Sequence, residues 1–259
     1  MQEKIERLKS NILWNVFILL SILILILLML NINSVKAADP GGPDSLNITS
    51  NETKSANSAV MVNISGGYIA SLNLSATIQN PRWKAFVGWV TGKFTLDDAA
   101  GSTIYDWTLS SITGRVYTTR KSGSVSWSNI DCANSTFLSQ EDNVLNHTNA
   151  NDNITITFNA TNDSAGYGTH SSFWVGSTFI SANSCPTLNT YIENQTQDNA
   201  DFEEMALYDG TNIVYATILE DDLTGYDSQA YDFQMIVPEN GAPDFDGATA
   251  YYVYVEIGT

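Results

Sequence analysis

Run after run beyond residue 58 alternates apolar and polar side chains with a period of two, and that period restricts the chain to β-strands with one wet face. In 60–65, Val60, Val62 and Ile64 oppose Met61, Asn63 and Ser65. In 72–78, Leu72, Leu74, Ala76 and Ile78 oppose Asn73, Ser75 and Thr77; in 153–158, Ile154, Ile156 and Phe158 oppose Asn153, Thr155 and Thr157. Further strands are predicted over 84–96, 102–109, 114–119, 172–180, 203–208, 211–219, 231–237 and 249–257. Turn chemistry separates them at Asp97-Asp98-Ala99-Ala100-Gly101, Asp209-Gly210-Thr211-Asn212 and Pro238-Glu239-Asn240-Gly241, the first two predicted as hairpins. Only 137–145 has the pattern of a helical turn or two. About ten or eleven short strands without interleaved helices predict an all-β, antiparallel sandwich of jelly-roll type over 58–259, with no second domain.

The first 37 residues differ in kind. Lys4, Arg7 and Lys9 precede an apolar run from Ile12 to Leu30, broken by Asn15 and Ser21, and Ser34-Val35-Lys36-Ala37-Ala38 supplies a small-residue cleavage neighbourhood. This is the pattern of a secretory signal peptide, an apolar helix cut after Ala37. The run is also long enough to span a bilayer, so a retained signal anchor is an alternative, as is a pilin-type leader cut near Lys9-Ser10. All three put the remainder outside the cell, and only the uncleaved forms touch a membrane. Residues 38–57, rich in Gly, Pro, Ser and Asn, are expected to form a flexible tail in which Leu46 and Ile48 make a short strand-like pattern.

An exported chain is exposed to N-glycosylation, and ten Asn-X-Ser/Thr sequons follow, at Asn47, Asn51, Asn63, Asn73, Asn134, Asn146, Asn153, Asn159, Asn162 and Asn194. Random placement of the 21 Asn and 48 Ser plus Thr found from Ala38 onward gives about 4 to 5. The excess favours dense glycosylation over accident in an Asn-rich chain. In the three clearest alternating runs the acceptor Asn falls on the predicted wet face, where a glycan has room. The two cysteines, Cys132 and Cys185, are expected to pair in an oxidising compartment. No Cys/His cluster at zinc-ligand spacing exists.

Charge is lopsided. Residues 38–121 hold seven Lys/Arg against six acids; residues 122–259 hold no Lys or Arg and twenty Asp/Glu. This excludes nucleic acid as a partner, because phosphate binding needs a basic surface. The asymmetry has two explanations: solubility of an acidic exterior, or contact between the less acidic part of one subunit and the acidic part of the next.

Candidate chemistry is sparse. Of the two histidines, His147 lies inside a sequon and is expected at the surface, while His170 sits in a Gly/Ser/Thr-rich loop without a nucleophile motif. Glu203 and Glu204 are the carboxylates to weigh for a glycosidase, but adjacent strand residues face opposite sides, and the plainer expectation is a solvated acidic surface. Trp83, Trp89, Trp107, Trp127 and Trp174 are read as core, with a sugar-stacking stripe as the alternative. Asp221, Asp222, Asp244 and Asp246 lie in acidic turns that match no EF-hand pattern; they are weak calcium candidates, and otherwise no cofactor or metal is expected. No catalytic residue is assigned.

The layout resembles the subunits of archaeal extracellular glycoprotein filaments, the threads and bundling pili. The motifs resemble archaeal surface proteins: the run Trp83…Gly88-Trp89-Val90-Thr91-Gly92, the pair Asp131-Cys132, and the closing Tyr251-Tyr252-Val253-Tyr254-Val255-Glu256. The resemblance implies a head-to-tail homopolymer built by donor-strand complementation, each N-terminal strand completing its neighbour's sheet. The candidate donor anchors are Leu46 and Ile48, or Val60, Val62 and Ile64. A β-augmented contact of this kind is heterologous and generates an open fibre. The alternatives are a surface lectin or adhesin, monomeric or membrane-anchored, and a secreted glycosidase.

Overall fold

The computed structural model describes residues 14–15, 38–123, 125–159, 169–193 and 201–258. Of the expected leader helix only Trp14 and Asn15, both helical, fall among them, and the sequons at Asn162 and Asn194 lie outside. The described chain is all-β and sandwich-like, with fourteen strands paired antiparallel.

The strands are β1 (Trp83–Gly88), β2 (Lys93–Asp97), β3 (Thr103–Thr108), β4 (Gly114–Thr119), β5 (Asp131–Cys132), β6 (Phe173–Val175), β7 (Thr178–Ile180), β8 (Thr187–Asn189), β9 (Glu203–Tyr208), β10 (Ile213–Ile218), β11 (Leu223–Thr224), β12 (Ala230–Tyr231), β13 (Phe233–Pro238) and β14 (Tyr252–Ile257). Two α-helices, α1 (Ser135–Val144) and α2 (Ile154–Thr157), and a 3-10 turn at Trp127–Asn129 accompany them among the described residues after 37. The central sheet has the order β14-β4-β10-β9-β5, with β8 also on β9. β1 and β13 form a separate two-stranded sheet, and β2–β3, β6–β7 and β11–β12 are hairpins.

The central sheet is covered on both faces. Val116, Ala206, Ile213 and Tyr215 enter one core with Met235, Val237, Leu138, Ile154 and Phe158. Their chain neighbours Tyr117, Met205, Leu207, Val214 and Ala216 enter a second core with Phe173, Val175, Ile180, Trp127 and Cys185. The register confirms the sorting, since Tyr215 lies opposite Ala206 and Ala216 opposite Met205. Gly114 opens β4 at φ 140°, where a side chain would strike the backbone of Glu256 on β14. The Cys132–Cys185 disulfide forms as expected and closes a loop with a sequence separation of 53.

Several expectations are corrected. Residues 60–65 and 72–78 form no strand; they pair with no strand among the described residues, and their side chains are exposed. Residues 153–158 form helix α2 instead of a strand. The reason is local: Asn153 caps Ile156 N, and the buried Asp142 accepts from Ile154 N at 2.6 Å and from Thr155 N and Oγ1. One carboxylate and one carboxamide therefore satisfy the helix's first amides, and the sequence from Ile154 to Phe158 is apolar at i and i+4 as well as at i+2. The predicted strand 84–96 is two strands, interrupted where Val90 N turns to donate to Asp232 Oδ2 at 2.7 Å. Strands β4 and β9 occupy the predicted residues, β3, β10 and β14 lie within predicted ranges, and α1 covers the predicted helical turn.

Candidate assembly surface and glycosylation sites

Residues 42–79 leave the domain between two anchors. At the first, Pro40 is buried and Gly41 exchanges two backbone hydrogen bonds with Val255 of β14, at 3.2 and 2.8 Å. The expected flexible tail 38–57 is therefore fixed at its start. At the second anchor, Asp152 accepts from Asn80 Nδ2 at 2.6 Å and from the Arg82 guanidinium. Between these points Leu46, Ile48, Val60, Val62, Ile64, Leu72, Leu74 and Ile78 are all exposed, Val60 and Ile78 each at 87 %.

Open strand edges lie on the same domain. Gly41 caps only one position of β14, because Pro43 has no N–H to continue the ladder to Val253. On the two-stranded sheet, Ile236 N of β13 donates to Glu204 Oε2 at 2.8 Å, so the even residues of β13 point away from β1. Alternation then turns the peptide groups of Ala85 and Val87 to the outer edge of β1. The hairpin β2–β3 sorts its side chains by face. Phe94 lies opposite Trp107 and Leu96 opposite Tyr105, while Lys93, Thr95, Asp106 and Thr108 take the other face with a Lys93–Asp106 ion pair at 2.8 Å. The four apolar residues are 49–59 % exposed.

The acidic half of the chain pairs with three of the seven cations of the basic half within the same chain. Arg82 pairs with Asp152, Lys84 with Glu239 and Arg120 with Glu141. That use in cis weakens the lopsided charge as a guide to how subunits would meet.

Sequon asparagines fall into two groups. Asn47, Asn51, Asn63 and Asn73 lie exposed on 42–79. The other four described ones sit at helix ends: Asn134 and Asn153 are the N-caps of α1 and α2, and Asn146 and Asn159 follow their C-termini at φ 51° and 54°. Asn tolerates that left-handed conformation, so part of the Asn richness there has a folding cause. A cap uses only the side-chain oxygen, as when Asn134 Oδ1 accepts from Phe137 N at 3.0 Å, so the amide nitrogen remains available. Asn153 is the constrained case, because its partner Thr155 is buried and donates its hydroxyl to Asp142 at 2.6 Å.

The remaining candidates scatter. His147 is fully buried, against expectation: the turn at Asn146 sends its ring edge-on against Trp83 at 4.9 Å, with Nε2 2.9 Å from the Arg82 carbonyl. His170 Nδ1 donates to the Ser171 carbonyl at 2.7 Å, and Nε2 accepts from Ser184 N and Cys185 N, so it serves the fold of the disulfide loop. Burial lowers its pKa, partly offset by the Ser171 bond. Glu203 and Glu204 do face opposite sides but are buried, contrary to the solvated surface expected; each accepts one backbone N–H, from Ser171 and Ile236. Burial raises both pKa values, that of Glu204 well above the usual carboxylate range.

Trp127 is buried and Trp83 half-buried, whereas Trp89, Trp107 and Trp174 are about half-exposed. Asp221 accepts from Ile112 N, Asp222 adopts φ 55°, and no cluster of three or more metal-ligating side chains occurs among the described residues, so Asp221, Asp222, Asp244 and Asp246 are not gathered into one. A cleft of about 260 Å³, which no sequence signal marked, is lined by Arg120, Phe137, Glu141, Tyr208 and Asn212. No helix among the described residues is long and apolar enough to cross a membrane. Comparison with protein-family models, with curated proteins and with solved structures finds no match to this chain.

Proposed function

We propose that the protein is a structural subunit of a secreted, N-glycosylated extracellular filament that assembles by donating β-structure from its N-terminal region to a neighbour. The observation that carries this reading is the segment 58–79, which has the cleanest strand pattern in the chain and no strand partner among the described residues of its own domain. Strands are stable only in ladders, so such a segment is completed by another chain. Open edges on β1 and β14 supply places for added strands. On this reading the domain is a jelly-roll-type sandwich, the disulfide stiffens it, residues 1–37 direct export, and the protein has no catalytic role. Buried Glu203 and Glu204, each committed to a backbone amide on opposite faces, suit structure better than hydrolysis.

Electron microscopy of the protein taken from its native surface, without denaturation, tests the reading. Ordered fibres are expected, lost on deleting 58–79 and retained on deleting 44–57. Discrete monomers overturn it. Loss only on deleting 44–57 moves the donor to Leu46 and Ile48. Glycopeptide mapping tests the coat: Asn63, Asn73 and Asn134 are expected to be occupied, and Asn153 the least.

A second reading, a surface lectin, is favoured by the exposed pair Trp174 and Phe179, with ring centroids 5.1 Å apart on β6–β7. Calorimetric titration with a glycan panel, and loss of binding in Trp174→Ala, would support it.

A further inference from the structure

We infer that the apolar face of the β2–β3 hairpin, formed by Phe94, Leu96, Tyr105 and Trp107, is the seat for the segment 58–79 of a second copy of this chain; the inference rests on the assembly reading above. Two-stranded hairpins are marginal in water and hold when one face packs on something. Here one face is tied by the Lys93–Asp106 pair, while four large side chains on the other stay 49–59 % exposed; Ile104, at the register shift, is exposed as well. Exposed apolar clusters ringed by polar groups mark interaction surfaces.

The occupant follows from a second, independent set of residues. Val60, Val62 and Ile64, then Leu72, Leu74 and Ile78, present one apolar side each, and the sequons Asn63 and Asn73 fall on the opposite side. Laid apolar side down on the hairpin, this segment buries its anchors and keeps both sequons in solvent. The fit is of β-patterned surface to β-patterned surface, like two layers of a sandwich, and it leaves the segment's backbone groups free for the ladder that an open edge supplies.

A single chain carries both surfaces and leaves both open. The anchor at Asp152 explains this. Asn80 and Arg82 both bind it, and Asn80 Oδ1 also receives Arg82 N at 3.0 Å, so the chain leaves β1 in a fixed direction. That bond closes a turn over Pro81 and Arg82, and 72–78 beyond it stays exposed instead of packing on its own domain.

The test is register-free. The full chain carrying Tyr105→p-benzoylphenylalanine is mixed one to one as ¹⁵N-labelled and unlabelled protein, irradiated, and its crosslinked peptides are sequenced; the same sample is imaged for filaments. Crosslinks joining labelled to unlabelled chains within 58–79 are the expected result. Crosslinks into 58–79 only within single chains, or between chains at other segments, overturn the seat. Filaments without any crosslink also overturn the seat and leave the assembly reading standing; a sample that stays monomeric removes both. As a second check, Trp107→Asp alters an exposed side chain, so the melting temperature should stay within a few degrees while association weakens at least tenfold. Unchanged association overturns the proposal.

Discussion

Two regions of this chain invert the usual relation between pattern and packing. Segment 58–79 alternates apolar and polar residues cleanly, yet it lies exposed and unpaired. Strands β4, β9 and β10 (GRVYTT, EEMALY and IVYATI) alternate poorly, yet form the buried centre of the molecule. The difference is in how many faces are covered. A strand with one wet face must alternate, while a strand sandwiched between two cores needs no polar face and can be buried throughout. Alternation thus reports a single covered face, and says nothing about which chain covers it.

The sharpest way to break this contrast is to cut equivalent side chains in the two regions. Leu207→Ala on β9, fully buried in the second core, should cost about 2–5 kcal/mol by transfer and cavity terms, read by urea denaturation. A loss under 1 kcal/mol would show that this face of the sheet is not the packed core described. Replacing Cys132 by Ser opens the loop that ties β5 to the segment before β8, and should cost about 2–4 kcal/mol by calorimetry, without altering assembly of the protein that remains folded.

The next effect concerns charge inside the central sheet. Glu204 is raised by burial, as are Glu203 and Glu220, so the native state binds more protons than the unfolded chain above about pH 4.5. Stability from these groups is complete below that pH and is lost as pH rises through their folded values. His170 acts in the opposite sense. Burial lowers it, so its contribution is complete above the ordinary value of 6.5 and is lost as pH falls. Melting temperatures should therefore peak in mild acid. Glu204→Gln, which keeps an acceptor for Ile236 N, should raise the melting temperature at pH 7 and flatten the fall above pH 4.5. An unchanged slope would place the coupling on Glu203 and Glu220.

The smallest effect is expected in the arm. Leu74→Ala, at an exposed position, should change monomer stability by less than about 0.5 kcal/mol. The same substitution should weaken assembly. A large loss of monomer stability would mean that the arm packs on its own domain.

Much of the fold was legible residue by residue. The hairpins at 97–101 and 209–212 carry Asp, Asn and Gly where tight turns need them, and the structure places β2–β3 and β9–β10 there. Two lone cysteines had one intramolecular pairing available, and they take it. Other elements depended on residues far away. Next to Ile154 only the cap residue Asn153 hints at a helix; the rest of the decision comes from the carboxylate of Asp142 on the preceding helix, which rewards helical amides that a strand would spend on a ladder. His147 reads as a surface residue beside a sequon, but a left-handed turn at Asn146 and the wall of Trp83 put it inside. The lopsided charge suggested contacts between subunits, and three of the cations involved close ion pairs at home.

The candidate site divides along the same line. Local chemistry alone identified the sequons, the apolar N-terminal run, the β-composition and the segments capable of being strands, because each depends only on nearby residues and their period. Which of those strands are buried twice, which are left without a partner, and which hairpin face remains open were settled by tertiary structure. Those properties depend on what occupies the space across a sheet, and that is contributed by residues a hundred or more positions away, as when Tyr117 meets Glu256 and Lys84 meets Glu239.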